Sequence, residues 1–208
     1  MAKVHPGATL TPHFRDFLPG WVARQEWYAG SGVPSLTPVG YFRFEDPAGE
    51  VGMETHLLSD GSALYQLPLT YRGAPLRDAA PGAADPLIAT PEHSALGTRW
   101  IYDGWADPVW RHQLLDLVRT GGVSDPSSKR GVGPAEARGH QLVPDEAALA
   151  AATIDLKRIV TAGDPAEDPS ALGIVTGTWH PTGPTSPQTH GLLAVLHRTD
   201  AEVGALGL

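Results

Sequence analysis

Phe14, Phe17, Leu18, Trp21 and Val22 recur at the spacing of one helix face, which predicts a helical segment between Thr11 and Gly30. Thr11-Pro12 supplies an expected N-cap and first-turn pair. Pro19 predicts a kink or two short helices near Leu18, because a ring nitrogen cannot donate and clashes with the preceding turn. Beyond Gly32 the period changes to two, and turn residues cut the chain into strands at Val39–Phe44, Val51–Ser59 and Ala63–Tyr71. Asp46-Pro-Ala-Gly49 and Asp60-Gly61 are the turns of this antiparallel meander, the second a two-residue hairpin signal. Leu64, Gln66, Pro68 and Thr70 oppose Tyr65, Leu67, Leu69 and Tyr71, so one face is expected to be buried under a helical layer and the other to be wetter.

Gly73 to Pro86 lacks any period and reads as a loop, followed by strands at Leu87–Ala89 and Leu96–Tyr102. Asp107-Pro108 then opens a helix in which Trp110, Leu114, Leu117 and Val118 share a face, and Gly121-Gly122 stops it. Residues 123–139 read as a flexible surface loop. After it come a short helix at Asp145–Ala152 and strands at Thr153–Val160, Ala171–Trp179 and Gly191–His197. The expected organisation is therefore a first domain over residues 1–122, the loop, and a β-rich extension over 140–208 that either stands apart or continues the same sheet.

Composition narrows the chemistry. The 208 residues include 24 Gly and 20 Pro but no Cys, which excludes disulfides, Cys-based metal sites and a thiol nucleophile. A formal charge of −8 argues against nucleic-acid or anionic-membrane binding, which needs a basic footprint. The amino terminus shows no basic region followed by an apolar run, and no stretch is long enough for a membrane span, so a cytoplasmic location is expected. Only Lys3, Lys129 and Lys157 among the 15 basic residues are Lys, a bias of GC-rich genomes.

The nine His residues show neither His-x-His nor His-Glu-x-x-His spacing, so they read as capping and surface groups, with no metal or cofactor implied. His93 and His112 stand as general-base candidates for an unrecognised enzyme. Phosphate-binding loops and a Gly-x-Ser-x-Gly elbow are absent; Gly30-Ser-Gly32 and Gly131-Val-Gly133 suffice as turns. The aromatic residues Trp27, Tyr28, Trp100 and Trp105, with His93, Arg99 and Asp103, are the candidates for a protein interface or a sugar or sugar-phosphate site, because flat indoles serve both. Trp27, Tyr28 and Trp105 are those expected to be exposed.

Three segments carry a resemblance: Trp21-Val-Ala-Arg-Gln-Glu-Trp-Tyr-Ala-Gly30, Tyr65-Gln-Leu-Pro-Leu-Thr-Tyr-Arg72 and Tyr102-Asp-Gly-Trp-Ala-Asp-Pro108. In order and spacing they resemble the amino-terminal cap of maltokinases, in its actinobacterial type, over about residues 10–120. The resemblance implies an α+β fold, a curved antiparallel β-sheet crowned by helices with cystatin-like topology, here with additional C-terminal strands. It implies a non-catalytic interaction or regulatory module in maltose, trehalose or glycogen metabolism, with a kinase or glycogen-pathway enzyme as partner. Glu26 and Ser31 stand where the family has Arg and Lys. The kinase catalytic lobe and its His-Gly-Asp motif have no counterpart, although Lys157 in Thr153–Val160, followed by Gly163-Asp-Pro165, resembles the strand that carries a nucleotide-binding Lys.

Overall fold

The computed structural model describes residues 7–80, 85–127 and 132–199. Parts of the segments considered above (residues 1–6, 81–84, 128–131 and 200–208) lie outside the described residues. In chain order the elements are β1 (Leu10–Thr11), α1 (Phe14–Val22), β2 (Thr37–Phe44), β3 (Gly52–Ser59), β4 (Leu64–Arg72), β5 (Leu87–Ala89), β6 (Glu92–His93), β7 (Gly97–Thr98) and β8 (Trp100–Asp103). A 3₁₀ turn (Gly104–Ala106) leads into α2 (Pro108–Thr120), followed by β9 (Asp125–Ser127), β10 (Glu136–Gln141), α3 (Glu146–Ala150), β11 (Thr153–Leu156), β12 (Ile159–Val160), β13 (Ala171–Trp179) and β14 (Thr189–His197). The fold is α+β, and every strand pairing is antiparallel.

Helix α1 starts two residues later than the Thr11-Pro12 pair suggests. Thr11 is taken by β1, where it pairs with Glu92, and His13 is the N-cap. The His13 ring accepts from the Arg15 amide at 3.3 Å, and its own amide donates to Asp16 Oδ2 at 2.8 Å, a reciprocal capping box. Pro19 sits inside a single nine-residue helix rather than splitting it in two. The helix ends three residues later, so the proline removes a single internal bond.

Strands β2, β3 and β4 form the centre of a sheet ordered β5-β8-β4-β3-β2-β9, with β12 also on β4. The hairpin after β3 is longer than the Asp60-Gly61 signal implies. Asp60 Oδ1 accepts the amides of Ser62 at 2.8 Å and Ala63 at 2.9 Å, and Gly61 takes the positive φ of 92° that the turn requires.

Both faces of this sheet are covered, in contrast to the wetter face expected from the alternation. On one face Leu58, Tyr65, Leu67, Leu69 and Ile101 pack under Leu18, Trp21 and Val22 of α1. On the other, Phe42, Phe44, Met53 and Leu57 meet Trp110, Leu114 and Val118 of α2 and the apolar side chains of the C-terminal strands. Polar positions of the second face are buried with partners supplied from afar: Gln66 Nε2 donates to the Leu193 carbonyl at 2.9 Å and the Lys157 carbonyl at 3.3 Å.

The C-terminal strands make a second sheet ordered β10-β13-β14-β11. It is hydrogen-bonded to the first along both margins. On one side the Ser124 amide donates to the Ala137 carbonyl at 2.8 Å and the Gly139 amide to the Gly122 carbonyl at 3.0 Å. On the other, β12 pairs with β4 while Ala162 bridges to Gly191 of β14. The segment expected as a loop over 123–139 thus contains β9, which pairs with β2, and the start of β10. The single strand expected at Thr153–Val160 is two strands: β11 pairs with β14, the chain switches at Lys157-Arg158, and β12 pairs with β4. Helix α2 lies on the second sheet where Gly139 and Gly173 leave room; a Cβ at Gly139 would stand 2.2 Å from the Leu117 carbonyl oxygen.

Candidate functional site

The three segments that carry the resemblance converge in space. The turn after α1 places Trp27 against Trp21 and Tyr65, with ring centroids 5.9 Å apart in both pairs, and Tyr28 lies 6.0 Å from Tyr65. Tilted aromatic pairs of this kind contribute about 0.5–1.5 kcal/mol each beyond their buried area. Tyr65 closes the group from β4, and its hydroxyl donates to Asp60 Oδ2 at 2.7 Å. Burial pushes the Asp60 carboxyl up, but the bonds from the Tyr65 hydroxyl and the Ala63 and Ser62 amides outweigh it and hold the group well below the usual carboxylate range. Burial, with the adjacent Asp60 charge, pushes the Tyr65 hydroxyl up to about 12.

At the end of β8, Asp103 is 8% exposed and caps the 3₁₀ turn, accepting the Trp105 amide at 3.3 Å. Arg158 enters this corner from the C-terminal part. Its Nη2 donates to Asp103 Oδ2, and its guanidinium carbon lies 5.6 Å from the centroid of the Trp27 ring. The Trp105 indole N–H donates to the Ile154 carbonyl at 3.4 Å, and Arg111 covers the ring at 5.5 Å. Burial pulls the Arg111 guanidinium below its ordinary value. Trp27, Tyr28 and Trp105, expected to be exposed, are therefore half-buried, each packed against a neighbouring ring or guanidinium.

The remaining candidates lie elsewhere. Trp100 is opposite Arg72 in the β4–β8 ladder. His93 and Arg99 belong to the small sheet β1-β6-β7 and its turn: His93 Nδ1 accepts the Ala95 amide at 3.2 Å, and Arg99 donates to the Leu96 carbonyl. His112 is exposed on α2. Lys157 donates to Asp155 at 2.6 Å on the rim of an open cleft of about 230 Å³ formed with Ile159, Thr161, Asp164 and Leu192. That volume is below the roughly 300–1,000 Å³ of ligand pockets.

One further constellation has the residue types of a nucleophilic triad. Ser170 Oγ is 2.6 Å from Asp168 Oδ1 and 3.2 Å from His197 Nδ1, and the same Nδ1 is 3.9 Å from Asp168 Oδ2. Serine and carboxylate share one ring nitrogen, whereas a relay needs them on opposite nitrogens. The Ser170 hydroxyl and amide both bond to Asp168, which holds its carboxyl below the usual range and closes a surface turn. Among the described residues no group of three His, Asp or Glu side chains is placed to hold a metal ion, and no helix is long and apolar enough to cross a membrane.

Sequence reasoning missed Arg158 and Arg111, the cations over the two indoles. Neither has a local signature, since each acquires its role only through the ring it reaches.

No curated protein and no solved structure matches the chain. A family model, that of the maltokinase N-terminal cap domain, matches residues 21–107, under half of the chain and the stretch that holds Trp27, Tyr65, Asp103 and Trp105. That stretch, residues 21–107, is similar to the maltokinase N-terminal cap domain.

Proposed function

We propose that the protein is a non-catalytic interaction module built on a maltokinase cap, acting in the cytoplasm in maltose, trehalose and glycogen metabolism beside a kinase or another glycogen-pathway enzyme. The observation that carries this reading is the cap match over residues 21–107, since a cap is an accessory domain and not a catalytic one. The engagement of its polar groups is consistent with it. Asp103 and Asp107 cap helical turns, His93 caps a turn, and Ser170 is bonded to Asp168. Sugar or sugar-phosphate binding at Trp27 and Trp105 is the weaker alternative, because a guanidinium lies over each indole where a pyranose would stack.

The test is binding of the purified chain, immobilised by one terminus, to a purified maltokinase catalytic region and to other glycogen-pathway enzymes, with maltose and maltose 1-phosphate titrated in parallel against tryptophan fluorescence. Saturable binding of one of those enzymes, with no response to either sugar, is the expected result. No enzyme binding together with a saturable sugar response overturns the reading in favour of the sugar site.

A further inference from the structure

The contact between Arg158 and the cap has two unequal halves. Everything that receives the arginine lies within residues 21–107: the Trp27 ring, the Asp103 carboxylate, the edge of β4 at Leu64 and Tyr65, and the Gln66 amide groups. These are held by contacts independent of Arg158. Trp27 rests on Trp21 and Tyr65, and Asp103 is fixed by the Trp105 amide. The incoming half is a short extended segment that contributes the Arg158 side chain, main-chain groups and the buried side chain of Val160, and its Lys157 amide donates to the Leu193 carbonyl at 2.9 Å. Ile159 and Val160 pair with Tyr65 and Leu64, the Gln66 amide donates to the Arg158 carbonyl at 2.9 Å, and the Gln66 side chain donates to the Lys157 carbonyl. A preformed sheet edge beside a pocket for one side chain is the geometry by which extended peptides are recognised: the main chain supplies affinity and the pocket supplies specificity.

The intramolecular occupant fits this site incompletely. Its ladder is two residues long, Ile159 is 41% exposed, and Arg158 Nη1 is buried without a hydrogen-bond partner. The rest of the same edge of β4, from Leu69 to Arg72, is taken by β8, so the free length of edge suits only a short strand.

We propose that the cap carries a strand-docking site selective for an arginine-bearing extended segment, and that residues 157–160 occupy it as an exchangeable intramolecular ligand. The occupant is this chain's own segment; a partner strand of the same chemistry, arginine followed by β-branched residues, competes for the place. An aromatic face combined with a carboxylate selects arginine over lysine, because the flat guanidinium stacks and bonds at once.

The experiment uses the full chain and a fluorescein-labelled peptide of residues 153–162, with hydrogen exchange followed over the 157–160 amides. In the wild-type chain the internal segment competes, so weak peptide binding is expected. Arg158→Ala weakens the internal occupant and is expected to raise peptide affinity at least tenfold, with lost protection at 157–160. The peptide carrying Ala in place of its Arg, and the double variant Arg158→Ala/Asp103→Asn, are each expected to lose that gain. Equal peptide binding by wild type and Arg158→Ala overturns the proposal, as does a released segment whose place the peptide does not take. If Arg158→Ala does not fold, Arg158→Lys is used, which keeps the charge and loses the fork. Should that variant also unfold on losing protection, the segment is a fixed structural member and the proposal fails.

Discussion

Arg72 and Asp107 form a two-pronged ion pair, Nε to Oδ2 at 2.6 Å and Nη2 to Oδ1 at 2.7 Å, with the Asp107 side chain fully buried. The pair joins the last residue of β4 to the N-cap of α2, because Asp107 Oδ1 also accepts the Val109 amide at 2.9 Å. The bond from Asp107, opposed by burial, raises the Arg72 guanidinium further above its ordinary range. Replacing the arginine strands a buried carboxylate, so Arg72→Ala is expected to cost about 3–5 kcal/mol in urea denaturation. Arg72→Lys keeps the charge without the fork and should cost less. A loss under about 1 kcal/mol for Arg72→Ala would show that α2 is held by its apolar face alone.

The Tyr65–Asp60 bond gives the hairpin a pH dependence at both ends of the scale. The Asp60 carboxyl is depressed in the folded chain, so its contribution is complete above about pH 4, the ordinary aspartate value, and is lost as pH falls toward the folded value. The Tyr65 hydroxyl is raised to about 12, so its contribution is complete below about pH 10 and is lost as pH rises toward 12. Tyr65→Phe is expected to cost about 1 kcal/mol at neutral pH and to flatten the alkaline limb, while Asp60→Asn flattens the acid limb. Thermal melts from pH 2.5 to 11.5 check both. Parallel wild-type and variant curves would mean that the hairpin does not contribute to either limb.

Strands β2 to β4 and helix α2 were legible because each obeys a local rule: alternation between turn residues, or Asp-Pro opening and Gly closing an apolar face. The second buried face of the sheet was not. Gln66, Thr55 and Thr70 are polar by type, and only the chain 127 residues further on supplies the carbonyl that lets Gln66 be buried. Strand β9 was hidden by Pro126 at its centre, a residue tolerated there because β9 is at the sheet's edge. The candidate site divides the same way. Trp27, Tyr28, Asp103 and Trp105 were candidates by ring and carboxylate type, but so were Trp100, His93 and Arg99, which lie elsewhere, whereas Arg158 and Arg111 carry no pattern until folding brings them over the rings.

A chain ended at Gly122 would retain the whole cap match and α2 but lose the part of the cover of Phe42, Phe44, Met53 and Leu57 that the C-terminal strands supply. The two sheets share these contacts and are bonded along both margins, so cap and C-terminal strands are expected to unfold as one cooperative unit. The shortened chain should bind an apolar dye, lose near-UV circular dichroism and melt without a sharp transition. A sharp melt with native near-UV signals for the shortened chain would mean that the cap folds by itself and the C-terminal strands only rest on it.

The seat of α2 on the second sheet is a close approach of backbones, which makes it testable by a single methyl group. A Cβ on Gly139 would lie 2.2 Å from the Leu117 carbonyl oxygen and 2.6 Å from the Val118 Cα, atoms of the helix backbone that cannot turn aside. Gly139→Ala is therefore expected to push α2 off β10 and cost about 1–3 kcal/mol or more, the range of overpacked cores. Gly20, inside α1, has only the mobile end of Arg24 at 3.8 Å from an added Cβ. Gly20→Ala should be stabilising by about 0.4–1 kcal/mol, because it restricts the unfolded chain without a clash. Urea midpoints for the two variants should shift in opposite directions. Equal and small shifts would show that the helix and the sheet can separate by the width of a methyl group without loss, and that α2 is not seated on the glycines.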